Sequence, residues 1–373
     1  MNLIPRTHPL SPMVNLGAKK DELDTPCLLV DLDVMEGNIR KMAEDFRGMP
    51  AKLRPHVKTH KTPIIARKQL DAGAIGITCA KVGEAEVLAE AGIGPLLIAN
   101  EVVGEPKVTR LINLAKYSDV TVAVDDPANV KHLAEAARRK GVKLNVVVEV
   151  DVGNNRCGTD PGEPALTLAR EVAGYRSLSF RGLMGYEGFC QMVVKLEERR
   201  PKAEAAMQKL VSTRDLLVDK GLPVEIVTAG GTGTHMISGR YPGVTEIEAG
   251  SYVFMDARYS TAEGLEKFGH ALTVLTTVLS VPRPGVAICD AGLKTVSFEF
   301  GNPVVKTPGV EYLRPNEEHG HLKVTDARLR AGDKIEMIPT HCCTISNLHD
   351  SFHCMRGGEL EAVWRVAARG RSQ

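Results

Sequence analysis

Arg54-Pro55-His56-Val57-Lys58-Thr59-His60-Lys61 is dense in cationic and ionisable side chains at alternate positions. In an extended run, Arg54, His56 and Lys58 share one face. Cations gathered out of bulk water need carboxylates, a phosphate or a charged cofactor as partners. A lysine in such company gives up its proton more readily and can form a Schiff base. A solvated basic loop is the competing reading of the same stretch. Gly230-Gly231-Thr232-Gly233-Thr234 is a second candidate. Its glycines let backbone N–H groups converge on an anion, and its threonine hydroxyls add donors. Gly250-Ser251-Tyr252 can complete such a cup. No lysine follows the glycines, so this is not a P-loop, and a plain turn is the alternative.

Three further clusters carry chemistry. Arg156, in Asn154-Asn155-Arg156-Cys157-Gly158, can donate to an aromatic cofactor ring or its hydroxyl, or pair with Asp151. Tyr186 can stack or hydrogen-bond in a site, or pack in the core. In His341-Cys342-Cys343, an extended backbone turns His341 and Cys343 to one side and Cys342 to the other. Imidazole with thiolate suits zinc better than manganese. Two ligands do not complete a shell, so water, substrate or a third side chain must join them. His319, in Asn316-Glu317-Glu318-His319-Gly320, is either a residue reaching the site across a domain interface or a buried, hydrogen-bonded histidine.

The elements that must position these groups alternate along the chain. A strand-like run at 27–31 precedes a helix over 33–46, with Asp33 as its cap. Strands follow at 52–58, 75–80, 96–100, 120–124, 144–150, 178–185, 224–228 and 246–254, most of them trailed by a helical pattern. Such alternation marks a parallel sheet. Eight units predict a (β/α)8 TIM barrel, with a doubly wound open sheet as the alternative. No G-x-G-x-x-G follows the first strand to support a dinucleotide fold. Beyond residue 265 the pattern becomes strand-like, at 271–281, 286–289, 322–326, 334–338 and 361–369. The division expected is a barrel over 28–265 and a mainly β domain from 1–27 plus 266–373.

Composition narrows the partners. The 47 basic and 46 acidic side chains nearly cancel, and aromatics are 4 % of the chain. No charge run or stacking surface points to nucleic acid, and no apolar run suits a membrane. The eight cysteines show no disulfide framework and read as reduced, mostly buried thiols. MNLIPRTHPLSPMVNL lacks the apolar core of a secretory signal and reads as a surface arm. A cytoplasmic protein is expected.

Together, RPHVKTHKT, AKVGEAEV, VEVDVGNNRCG, AGGTGT, GSYVFMDARY, DAGLK, EEHG and PTHCCTISNLHD resemble the family of D-threonine aldolase and eukaryotic-type D-serine dehydratase. Its members are similar to alanine racemase in fold (fold type III of the pyridoxal phosphate enzymes). The resemblance runs from TPCLLVDLD at residue 25 to ARG at 368–370. It implies pyridoxal 5'-phosphate on Lys58, not Lys61, with its phosphate around Gly231, Thr232, Gly250, Ser251 and Tyr252. It also implies a divalent metal on His341 and Cys343: Zn²⁺ first, Mn²⁺ or Mg²⁺ as alternatives. A homodimer is implied, with the partner's β domain bordering the pocket. Aldolases of this family usually carry H-x-D and dehydratases H-x-C. The chain has Cys343, yet its stretch KTHKTPIIARKQLDAGAIGITCAKVGEAEV is closer to the aldolases. The reaction expected is retro-aldol cleavage of a small D-β-hydroxy amino acid such as D-threonine, with His56, His60 or His319 as base. The alternatives are a D-serine or D-3-hydroxyaspartate dehydratase, with Lys58 removing the α-proton, and a non-catalytic pyridoxal phosphate carrier.

Overall fold

The structure is a computed structural model and describes residues 15–373. All but the last two residues of the expected N-terminal arm lie outside that range. The first strand, β1 (Cys27–Asp31), runs directly into α1 (Leu32–Phe46). The cap is Asp31, whose carboxylate accepts from the Val34 N–H at 3.0 Å, rather than the expected Asp33. Leu32 is fully buried, so the core draws the helix start two residues earlier, and Asp33 instead pairs with Arg356.

An eight-stranded parallel sheet follows. It comprises β2 (Lys52–Leu53), β3 (Ile77–Cys79), β4 (Leu96–Glu101), β5 (Val120–Val124), β6 (Leu144–Glu149), β7 (Leu178–Gly185), β8 (Ile226–Ala229) and β9 (Glu246–Ile247). Between them run α2 (Pro63–Asp71), α3 (Val82–Glu90), α4 (Glu105–Leu114), α5 (Pro127–Lys140), α6 (Glu163–Gly174), α7 (Leu196–Asp219) and α8 (His235–Ser238). The strand order is β2-β9-β8-β7-β6-β5-β4-β3, so the sheet is TIM-barrel-like. Alternation sorts its side chains. Ile98, Val122, Val146 and Val148 join the large core shared with the helices. Their neighbours Leu97, Ala123 and Val147 meet Met184 in a separate cluster on the other face.

Two of these strands are shorter than the sequence suggests. β2 stops at Leu53, and Val57–Thr59 is a 3₁₀ turn. Pro55 has no N–H to extend a ladder. The alternating face expected for Arg54, His56 and Lys58 is therefore not formed. Similarly, β9 stops at Ile247, and Ser251–Val253 forms a second 3₁₀ turn. Arg54 is taken up by the sheet itself: its Nε and Nη2 donate to the two Glu246 carboxylate oxygens, both at 2.8 Å. Both residues are buried, and removing one partner strands a charge. Glu246→Gln is expected to lower unfolding free energy by about 3–5 kcal/mol, far more than replacing both residues by apolar ones of similar volume. Urea denaturation of the single and double variants measures this.

The second sheet is mixed. It contains β1 together with β10 (Leu272–Arg283), β11 (Val286–Cys289), β12 (Val304–Val305), β13 (Val310–Pro315), β14 (Gly320–Val324), β15 (Lys334–Ile338), β16 (Ser351–Arg356) and β17 (Glu359–Arg365), with the short α9 (Cys342–Ser346) between β15 and β16. β1 lies antiparallel to β10 and parallel to β16. The N-terminal strand is thus built into the C-terminal sheet. β12, β13 and β16 escaped the sequence reading. β12 has two residues, β13 exposes Glu311 and Arg314, and β16 carries Ser351, His353 and Arg356 at half-buried positions. The eight cysteines are free, six of them buried. No helix among the described residues is long and apolar enough to cross a membrane.

Candidate active site

A cavity of about 590 Å³ opens at the C-terminal ends of the parallel strands, where enzymes of this architecture place their chemistry. Lys58 and His56 line it from the turn after β2, Arg156 from the loop after β6, and Tyr186 from the end of β7. The Lys58 Nζ lies 5.8 Å from the Tyr186 ring centroid. The Arg156 guanidinium lies 5.5 Å from the same ring. Arg156 reaches Glu149 at 3.5 Å, not Asp151, whose carboxylate instead accepts the N–H groups of Gly153, Asn154 and Asn155. Burial, then the positive charge of Lys58, holds the His56 imidazole well below its usual range and therefore neutral.

Gly231, Thr232, Gly250 and Ser251 line the same cavity. The glycines are needed for closeness. A Cβ on Gly231 would sit 2.6 Å from the Gln191 Oε1, and one on Gly250 would sit 2.9 Å from the Thr59 Oγ1. The loop is held from behind. Glu187 accepts from the Gly230 N–H at 3.1 Å, the Thr234 hydroxyl at 2.6 Å and the Ser238 hydroxyl at 2.7 Å. Gln191 accepts from the Gly233 N–H at 2.9 Å. The sequence reading missed both supports, since nothing in their spacing ties them to the glycines. The phenol of Tyr252 is elsewhere: it accepts from Gln69 at 2.9 Å and packs on Phe268 in the core.

His341 and Cys343 line the cavity too, but not through an extended segment. His341 is the extended residue before α9, and Cys343 sits in its first turn. Cys342 is turned into the core, donating to the Met255 carbonyl at 3.1 Å. The His341 Nδ1 donates to Asp256 at 3.0 Å. That carboxylate also accepts the Cys342 N–H at 3.2 Å and is fully buried. Burial opposes charge on His341, but the adjacent Cys343 and Asp256 outweigh it and raise the imidazole to about 10. Burial likewise opposes a thiolate at Cys343, and the His341 charge overcomes it to lower the thiol. An imidazole and a thiolate in contact, with a carboxylate orienting the imidazole, form a donor set that fits a divalent ion. The Cys343 Sγ lies 3.5 Å from the Thr59 Oγ1, which ties this pair to the residue following Lys58. Asp256 stands in the GSYVFMDARY motif, where nothing in the spacing points to His341, 85 residues on. Asp256→Asn is expected to weaken metal affinity about 10–100-fold while the fold persists, as measured by chelator competition beside circular dichroism.

Two of the expected histidines stand apart. His60 is fully buried: its Nε2 bonds Gln69 at 3.2 Å and its Nδ1 accepts from the Thr62 N–H at 3.3 Å. Burial lowers it to about 4. His319 is exposed between β13 and β14, outside the cavity of its own chain. Glu248, not singled out from the sequence, also lines the cavity. Burial pushes its carboxyl up to about 7, against the bond from the Thr228 hydroxyl at 2.8 Å.

Comparison with known proteins places these features in a context. Residues 30–258 match the family model "Alanine racemase, N-terminal domain", and residues 271–355 match "Putative serine dehydratase domain". The chain is 38 % identical over 365 residues to 3-hydroxy-D-aspartate aldolase of Paracoccus denitrificans (strain Pd 1222), covering 95 % of this chain and 94 % of that one. It superposes on the crystal structure of D-threonine aldolase from Filomicrobium marinum with a TM-score of 0.94 and 40 % identity, over 96 % and 99 % of the two chains. D-threo-3-hydroxyaspartate dehydratase from Delftia sp. HT23 is more distant, with 28 % identity and a TM-score of 0.83 over 93 % and 98 %. A cysteine-to-alanine mutant of D-threo-3-hydroxyaspartate dehydratase is known in a metal-free form.

Proposed function

This chain belongs to the alanine-racemase-like family of pyridoxal phosphate proteins, close to its D-threonine aldolase and D-serine dehydratase members, and on that premise we propose that it cleaves D-β-hydroxy amino acids to glycine and an aldehyde. It is a pyridoxal-phosphate-dependent lyase of the aldolase and dehydratase type. The observation that carries the aldolase reading is one cavity shared by Lys58, the glycine loops and the His341–Cys343 pair, in a chain 38 % identical to an aldolase against 28 % to the dehydratase.

Lys58 would hold the cofactor covalently, with its phosphate at Gly231, Thr232, Gly250 and Ser251 and its ring beside Tyr186 and Arg156. Tyr252 would support the cup and not bind the phosphate, since its N–H is donated to the Thr232 hydroxyl at 3.0 Å. Bound there, pyridoxal phosphate supplies an electron sink for a bond broken at Cα. His341 and Cys343 would hold a divalent ion, whose Lewis acidity favours ionisation of the substrate β-hydroxyl; their donor types make Zn²⁺ the first choice and Mn²⁺ or Mg²⁺ weaker ones. Of the three candidate histidines, His56 alone lines the cavity. Burial keeps it neutral, the form that accepts a proton, and also makes it a weaker base than an exposed histidine. In the cleavage, the β-hydroxyl proton leaves to the base and the Cβ–O bond becomes the aldehyde carbonyl. The Cα–Cβ pair stays on Cα, which takes a proton to give glycine.

The dehydratase reading keeps one specific support, the His341–Cys343 donor pair itself. It would remove the α-proton through Lys58 and expel the β-hydroxyl, ending in a 2-oxo acid and ammonia. D-Threonine and 3-hydroxy-D-aspartate separate the two. Glycine in step with substrate loss is expected; stoichiometric ammonia without glycine sinks the aldolase reading.

Two architectural proposals accompany the reaction. The parallel sheet closes into a (β/α)8 barrel, a reading supported by the parallel bridge between His56 and Thr78 beside β2 and β3. The enzyme is a homodimer with the partner's β domain beside the pocket, and only in such an assembly would His319 reach a site. Sedimentation of the loaded protein tests the assembly: a monomer that turns over at full rate removes it.

A further inference from the structure

One group of chemically capable side chains is used by none of the steps above. β4 and β6 end in Glu101 and Glu149, and Asp125 directly follows β5. Period-two alternation puts them on the face of Leu97, Ala123 and Val147, which pack together on that side of the sheet. Cys157 joins them from the loop after β6. One ligand atom each from Glu101, Asp125 and Cys157 lies within 4.8 Å of the others. Glu149 adds an independent observation. It is only 3 % exposed, and its carboxyl is within hydrogen-bonding reach of Glu101. Among the described residues, the Glu149 Oε2 and the Glu101 Oε1 are buried and reached by no donor. Arg156 reaches only the other Glu149 oxygen, at 3.5 Å.

Two carboxyl groups in contact, each with a buried oxygen lacking a donor, need a positive centre between them. Burial first, then Glu101, holds the Glu149 carboxyl well above the usual carboxylate range. We propose that Glu101, Asp125, Glu149 and Cys157 form a binding site for one divalent cation of zinc character, separate from His341 and Cys343. Carboxylates with one thiolate are borderline donors that suit Zn²⁺ and disfavour Mg²⁺. The ion ties together the ends of three adjacent strands. Through Glu149 it also steadies Arg156, which lines the cavity.

Zn²⁺ itself is the probe. The full chain carrying pyridoxal phosphate is saturated with Zn²⁺, desalted, and its metal counted by atomic emission. Two ions per chain are expected, falling to one in Glu149→Gln/Cys157→Ser and to one in His341→Ala/Cys343→Ala. A single ion that is lost with His341 and Cys343, and is indifferent to Glu149 and Cys157, overturns the site. Crystals of the unaltered protein soaked in Zn²⁺ decide the matter even where a double variant folds poorly. An anomalous peak among the four side chains supports the site, and its absence there overturns it. An ion lost only with Glu149 and Cys157 would support this site while sinking the His341–Cys343 assignment, so the two fail separately.

Discussion

Lys58→Ala is expected to abolish both the visible chromophore of the loaded protein and its turnover. Lys58 lines the cavity between the glycine loops and the His341–Cys343 pair. Lys61, the neighbouring alternative, is consumed by a buried ion pair with Glu84. Losing the lysine proposed to hold the cofactor should cost rate on the scale seen when covalent nucleophiles are removed elsewhere, roughly 10⁴- to 10⁶-fold. Borohydride should fix the chromophore to the peptide containing Lys58 in the unaltered chain, as read by mass spectrometry. Lys61→Ala should keep that adduct and lose stability instead, because Glu84 would be left charged and buried without its partner. A chromophore that survives Lys58→Ala, or an adduct on Lys61, would refute the assignment. The same measurement answers the carrier alternative: a carrier keeps the adduct and shows no turnover.

His341→Ala and Cys343→Ala should each empty the metal position near Lys58 and remove most activity. The loss should exceed the roughly 10–100-fold that an outer-shell partner such as Asp256 costs, because a two-residue set has no spare ligand. Cys342→Ala should retain the metal, its thiol being directed to the Met255 carbonyl. Cys343→Asp should bind metal with a changed preference, since carboxylate oxygen favours Mn²⁺ and Mg²⁺ where thiolate favours Zn²⁺. Metal content by atomic emission and reactivation by each ion after chelation would show this. Metal content unchanged from the unaltered chain in both alanine variants would contradict the site.

Much of this was legible in the chain alone. The alternation of short apolar runs with helical patterns announced a parallel, barrel-like sheet, because a strand buried on both faces and a helix with one apolar stripe leave different periodicities. Lys58, Arg156, Tyr186, His341 and Cys343 stood out because their polar or ionisable groups are costly to bury without purpose, and Gly231 and Gly250 because closely spaced glycines expose backbone N–H groups to an anion. Cys342 does turn away from His341 and Cys343, but through the first turn of α9 and its bond to the Met255 carbonyl, not through an extended segment.

Tertiary structure alone decided the rest. Arg54 looked like a member of the cationic cluster, yet Glu246, 192 residues away, claims it. His60 looked like a base and is a buried core histidine held by Gln69. Tyr252 looked like a phosphate ligand and its phenol points into the core. Asp256, Glu187 and Gln191 were invisible because their partners come from other strands and loops. So was the meeting of Glu101, Asp125, Glu149 and Cys157. Spacing along the chain reports which side of a strand or helix a residue faces, since that is set within a few backbone bonds. Which distant side chain it finds there depends on how strands are ordered and registered, and those are chosen by the packing of the whole core.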